Sequence, residues 1–392
     1  MNRVNKEPLK LFTVALAIIF SGTVSALAVG QWDVWEYSMK GPSSGNPFME
    51  VELQATFRCG DLERTVDGFY DGGGVYRIRF MPDRVGEWDW ETHSNRPELD
   101  TQKGTFECVP PSTGNHGPVR VHNRFHFAYA DGSPYTCVGT TCYAWVHQGD
   151  ELAEQTLKTL ADAPFNKLRM MLLPKNYDYC RTEPLLHAFE GGAPTQGGDL
   201  TRFNPAYFQN MEKRIAELGA LGIEADLIFL TAYDYGRWGY DTLPQEVHLR
   251  LLRYTVARLA AYRNVWWSLA NEYNLLKNKS IADWEEMAAL VKEKDPYNHL
   301  ISIHNCGEFY DYTRPWVTHC SIQTTALGEA SNYRKKFGKP IVYDEIQYEG
   351  NVGPMYGNLT ASELVRRFWM GFLSGAYVGH GEMFLDPPDD IL

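Results

Sequence analysis

No run of lysine or arginine interrupts this 392-residue chain, and 49 Asp+Glu against 37 Lys+Arg leave a net charge of −12. A nucleic-acid groove or an anionic-membrane anchor needs a basic stripe, so neither partner is expected. Cysteine is sparse: Cys59, Cys108, Cys137, Cys142, Cys180, Cys306 and Cys320, with no CxxC pair. An odd, dispersed set fits neither a disulfide framework nor a zinc ribbon, and it favours free core thiols over a Cys59–Cys108 bridge. HExxH, an EF-hand loop, Walker A and GxSxG are all missing. His122 and His126 sit in a strand-like stretch with no third ligand, so no metal and no cofactor are expected. Gly72–Gly74 has no helix after it and reads as a hairpin turn rather than a phosphate loop. Cys142 lacks the histidine partner that a cysteine nucleophile needs. Past the N-terminus, no apolar run is long enough to span ~30 Å of hydrocarbon.

Aromatic residues, by contrast, are plentiful: 11 Trp, 23 Tyr and 19 Phe make up 14% of the chain. In an acidic protein, that composition suits neutral ligands with flat apolar faces, of which sugars are the commonest. At the N-terminus, Arg3, Lys6 and Lys10 precede an apolar run from Leu11 to Phe20 and small residues ending in Ala26-Leu27-Ala28. This is the pattern of a secretory signal peptide, residues 1–28, too short to anchor in a bilayer. It implies a secreted protein, extracellular or periplasmic, with no membrane attachment after cleavage.

Residues 29–110 alternate apolar and polar side chains, as in Val51–Phe57, Val75–Phe80 and Trp88–Trp90. Period-two alternation between turn signals predicts a small all-β sandwich. A Pro/Gly/Ser-rich linker covers 111–118, and Asp131-Gly132 marks a hairpin. From 119 to 392 the pattern is α/β. Strands are expected at 135–140, 166–173, 223–230, 265–270, 300–304, 319–323, 340–343 and 375–379. Helices fit between them at 151–162, 205–220, 245–262, 280–294, 327–337 and 360–374. Eight such strands predict a (β/α)8 TIM barrel. A doubly wound sheet is the alternative, but no glycine-rich fingerprint follows its first strand. The chain stops just past strand eight, as if the barrel were cut from a longer protein.

A barrel of this kind builds its site at the C-terminal ends of its strands. Strand four ends in Asn271-Glu272 and strand seven in Asp344-Glu345. Three βα units separate the glutamates, so they face each other across the mouth. Two opposed carboxylates are what glycosidic hydrolysis requires. Either glutamate could instead pair with a neighbouring arginine, but matched strand ends favour the catalytic reading. Arg169, ending strand two, is positioned to keep Glu345 ionised. His304, Gln323, His380 and Glu382 end strands five, six and eight and are candidates for hydrogen bonds to sugar. Tyr143 and Trp145 after strand one, and Tyr233, Asp234, Tyr235 and Trp238 after strand three, offer faces for stacking or for core packing. The long segment 174–204 could cap the cleft and favour an exo-acting pocket.

Ser268-Leu-Ala-Asn-Glu-Tyr273 resembles the strand-four signature of clan A glycoside hydrolases, which are retaining (β/α)8 enzymes. Gly139-Thr-Thr-Cys-Tyr-Ala-Trp145 and Gly379-His-Gly-Glu382 resemble, more narrowly, secreted glycosidases related to apiosidase-like enzymes, over about residues 31–392. The layout there is an N-terminal β-sandwich domain of unknown function, a catalytic barrel and often a further β domain, which would lie beyond Leu392. The resemblance implies that Glu272 is acid/base, Glu345 nucleophile, and Asn271 a donor to the substrate 2-hydroxyl. It also implies a carbohydrate substrate cleaved without a cofactor. The competing readings are a non-catalytic sugar receptor on the same barrel and a metal-dependent barrel hydrolase.

Overall fold

The computed structural model describes residues 28–177, 182–353, 356–386 and 390–391. The signal-peptide expectation falls almost wholly on residues 1–27 and, like Cys180, lies outside the described residues. Among those described, no helix is long and apolar enough to cross a membrane.

The alternating segments form antiparallel strands. Leu53–Cys59 pairs with Leu62–Asp67 on one side and Gly86–Ser94 on the other, and Gly86–Ser94 pairs in turn with Lys103–Val109. In a second sheet, Val75–Phe80 lies between Trp35–Lys40 and Phe69–Tyr70. Every second side chain points to the layer where the sheets meet. There Phe57 stacks on Phe80 with ring centres 3.9 Å apart, and Trp35 lies 5.0–5.3 Å from Phe57, Trp90 and Phe106. Aromatic side chains bury ~150–250 Å² each, so this layer supplies most of the local hydrophobic stabilisation. Cys59 and Cys108 are buried within it and unbridged.

The barrel strands are β1 (Val138–Thr141), β2 (Lys167–Met171), β3 (Glu224–Thr231), β4 (Val265–Asn271), β5 (Ile301–Ser302), β6 (Cys320–Gln323), β7 (Ile341–Glu345) and β8 (Tyr377–Gly379). They form one parallel sheet in the order 5-4-3-2-1-8-7-6, and a parallel bridge between His304 and Ser321 nearly closes it. Every residue of β3 and β4 is buried, as expected of parallel strands covered on both faces. Around them pack α1 (Asp150–Asp162), α2 (Pro205–Ala220), α3 (Gln245–Leu259), α4 (Ile281–Lys294), α5 (Ala330–Phe337) and α6 (Ala361–Ser374).

One expected boundary is wrong. Tyr135 does not open β1. Pro134–Tyr135 pairs antiparallel with His126–Tyr129, which also pairs with Val119–His122. Phe127 and Tyr135 from this small sheet pack on Trp266 at the start of β4, and Phe127 also meets Tyr377 at the start of β8. The sheet therefore plugs the end of the barrel opposite the strand C-termini. The apolar pattern runs unbroken through Cys137, so it conceals the point where the chain leaves the plug.

The N-terminal sheets are tied to α2 and α3 by buried ions. Glu212 accepts from Arg79 at 2.6 Å and Arg258 at 2.5 Å, and Arg258 reaches Asp71 at 2.7 Å. Glu212→Ala would leave two buried guanidiniums without their shared carboxylate. Removing one member of such a cluster costs about 3 kcal/mol or more. A urea titration should show that loss, and a change below ~1 kcal/mol would contradict a structural role for the cluster. On the same flank, a cleft of ≈ 1080 Å³ opens between Phe48, Tyr70, Arg253 and Glu293; neither barrel-mouth glutamate lines it.

Candidate active site

A layer of ions lies beneath the barrel mouth. Lys167 Nζ sits 2.6 Å from Asp226 and 2.7 Å from Asp344. Arg169 lies 3.2 Å from Asp344 and donates to Ser321 Oγ at 3.1 Å and Asn271 Oδ1 at 2.8 Å. Burial alone would raise Asp344, but Lys167 and Arg169 overcome it and hold the carboxyl well below its usual range. Asn271 and Asp344 each immediately precede one of the glutamates. The ion layer therefore fixes the backbone from which both carboxyls project.

Glu272 adopts a left-handed conformation, φ 53° and ψ 56°, at the end of β4. Residues with a side chain rarely occupy that region, and such strain concentrates at functional sites. The Glu272 N–H donates to His304 Nδ1 at 3.3 Å, and the Tyr233 hydroxyl donates to its Oε2. Burial, and after it the negative charge of Glu345, push the Glu272 carboxyl up to about 7. Glu345 accepts from the Tyr143 hydroxyl on Oε1 and from Gln323 Nε2 on Oε2 at 3.1 Å. Burial raises it too, opposed by Tyr143 and by the positive charges of Arg169 and Lys175. The Gln323 side chain lies against both carboxyls. Over the pair, the Lys175 ammonium stands 5.0, 5.0 and 5.4 Å from the ring centres of Tyr143, Tyr177 and Tyr233.

Tyr143, Tyr233, Asn271 and Gln323 thus converge on the two glutamates. The other candidates lie away from the two carboxyl groups or are buried behind them. The Arg169 guanidinium is 1% exposed and spent on the ion layer; it acts on Glu345 through charge alone. Trp238 is 0% exposed, and its indole N–H donates to Glu183 at 3.1 Å. Trp145 is likewise buried, under the Arg214 guanidinium. His304, also 0% exposed, supports the Glu272 backbone and does not face solvent. His380 and Glu382 gather with Glu349. Position at a strand end identifies the right end of the barrel, but not which side chains turn inward. In the segment 174–204, Glu183 accepts from Arg237, Trp238 and Gln196, which docks that segment on the loop after β3.

Sequence reasoning overlooked Lys175, Tyr348 and Cys306. The Tyr348 hydroxyl lies 3.3 Å from that of Tyr143, and burial followed by the nearby Glu272 charge raises the Cys306 thiol to about 11. All three are on loops, where no periodicity dictates the path. The one available signal was position, three residues past Glu345 for Tyr348 and four past the end of β2 for Lys175.

A parallel eight-stranded barrel carrying two interacting glutamates at the ends of β4 and β7 has the architecture of a glycoside hydrolase. Residues 121–381 match the apiosidase-like catalytic domain, and residues 28–95 match a domain of unknown function, DUF5060. The chain belongs to the apiosidase-like family. A crystal structure of a candidate glycoside hydrolase from Bacteroides vulgatus ATCC 8482 is 44% identical, with a TM-score of 0.90 over 93% of this chain and 74% of that one. Two further solved structures share the fold at low identity. One is a glycoside hydrolase at 15% identity and TM-score 0.55, over 70% of this chain and 68% of that one. The other is a family 5 glycoside hydrolase from the same Bacteroides strain, at 14% and 0.53, over 68% of this chain and 63% of that one. No curated protein matches the chain.

Proposed function

We propose that this protein is a secreted retaining glycosidase in which Glu345 is the nucleophile and Glu272 the acid/base. The observation that carries the reading is the different company of the two buried carboxyls at the strand ends. Burial and the Glu345 charge raise Glu272 to about 7, so it keeps a proton near neutral pH. Burial raises Glu345 as well, but hydrogen bonds on both of its oxygens and the charges of Arg169 and Lys175 oppose that rise, support that Glu272 lacks on this scale. In the first step Glu345 attacks the anomeric carbon while Glu272 protonates the departing oxygen. A glycosyl ester forms and the alcohol leaves. Esterification removes the Glu345 charge, so Glu272 becomes more acidic and takes a proton from the water that cleaves the ester. Asn271, aligned by Arg169, is suited to hold the 2-hydroxyl. Residues 29–110 would form a sandwich that buttresses α2 and α3, which the Arg79–Glu212–Arg258 cluster supports. The N-terminal residues through Ala28 would be removed on export.

The test is the anomeric configuration of the first product, followed by proton NMR on whichever member of an aryl glycoside panel is cleaved. Retention supports the reading, and inversion overturns it. A pH profile gives a second check. Glu272 must be protonated for the first step, so kcat/KM should fall as pH rises through about 7. A basic limb beginning above pH 9 would contradict the assignment of the acid.

A further inference from the structure

The loops that follow β7 and β8 carry a second group of ionisable side chains that the proposed reaction does not use. Glu349–Gly350 pairs in parallel with Glu382–Met383, with Glu349 directly opposite Glu382. Like charges opposed across paired strands destabilise each other. His380 completes the group, and one ligand atom from each of the three lies within 4.8 Å of the others. The imidazole is fixed from behind: it stacks on Phe165 at 5.1 Å between ring centres, and its Nδ1 lies 3.2 Å from Thr140 Oγ1. With Nδ1 donating to Thr140, Nε2 would be the nitrogen that carries a lone pair for a ligand. An oriented imidazole whose other nitrogen is engaged by a neighbour is how metal-binding histidines are held.

We propose that Glu349, His380 and Glu382 bind a first-row divalent cation of the zinc class. One nitrogen and two carboxylate donors suit zinc or its neighbours better than calcium or magnesium, which prefer all-oxygen sites. The cation would join the loop after β7 to the end of β8. Between His380 and Glu382, Gly381 leaves no room for a side chain, because an added Cβ would sit 2.0 Å from Tyr348 Cδ1. Tyr348 in turn lies beside Tyr143, which donates to Glu345. Metal binding would therefore hold the tyrosine pair that borders Glu345.

Calorimetric titration of chelator-treated full-length protein with zinc chloride tests this, together with zinc counting after dialysis and a thermal melt. The expected result is one zinc per chain and a raised Tm, with affinity at least tenfold weaker in His380→Ala and Glu382→Gln. Glu382 is exposed, so Glu382→Gln should keep the fold even if His380→Ala does not. The exposed cross-strand pair His122 and His126 is the control, and its double alanine variant should bind zinc like the wild type. The proposal fails if the wild type takes up no zinc, if both site variants bind as tightly, if the control abolishes binding, or if calcium binds more tightly than zinc. The readout is the metal itself, so it stands apart from whether Glu272 and Glu345 are catalytic.

Discussion

Glu345→Ala should lower kcat/KM by ~10⁴–10⁶-fold on every glycoside that the protein cleaves, the range seen when a covalent nucleophile is removed. The side chain that would attack the anomeric carbon is gone, and the Tyr143 hydroxyl and Gln323 amide that hold it cannot replace it. The variant should remain folded. Burial disfavours the ionised form of this carboxyl, so its removal relieves an unfavourable term while leaving a small cavity. Azide, small enough to enter that cavity, should restore turnover and give a product of inverted configuration. A thermal melt run beside the rate measurement separates loss of chemistry from loss of fold. A residual rate within tenfold of wild type would remove Glu345 from the reaction.

Glu272→Ala should show a split that no purely structural role produces. A leaving group of high pKa needs a proton as the bond breaks, so hydrolysis of an alkyl glycoside should fall ~10²–10⁴-fold. A dinitrophenyl leaving group needs none, so its first step should survive nearly intact and the glycosyl ester should accumulate. Azide needs no general base and should speed breakdown of that ester, giving a glycosyl azide of retained configuration. The decline in kcat/KM through pH 7 should vanish with the group that causes it. Equal losses for both leaving groups would mean that Glu272 does something other than donate the proton.

The barrel was legible because parallel strands are buried on both faces, so β4 reads as a nearly unbroken apolar run and β3 as one from Leu227 to Leu230. Glu272 and Glu345 were legible for the same reason: each is a charge at the end of such a run. Position along a strand does not reveal the direction a side chain takes past its end. Arg169, Trp145, Trp238 and His304 stand where ligand contacts were expected, yet all four turn into the core. The left-handed backbone of Glu272 has no counterpart in residue type, since glycine or asparagine would be the usual occupant. The Lys175 ammonium and Tyr348 hydroxyl reach the site only through loop paths. The juxtaposition of Glu349 and Glu382 comes from a two-residue pairing between loops.

The central claim is a covalent bond to Glu345. It can be read directly by incubating the protein with a 2-deoxy-2-fluoro glycoside of the cleaved sugar, carrying a dinitrophenyl leaving group. The fluorine destabilises the positively charged transition states of both steps, and the activated leaving group lets the first proceed while the second stalls. Intact-mass measurement followed by peptide mapping should then find one sugar per chain, esterified to Glu345. A sugar attached to any other residue, or turnover of the parent glycoside with no adduct formed, would contradict the account.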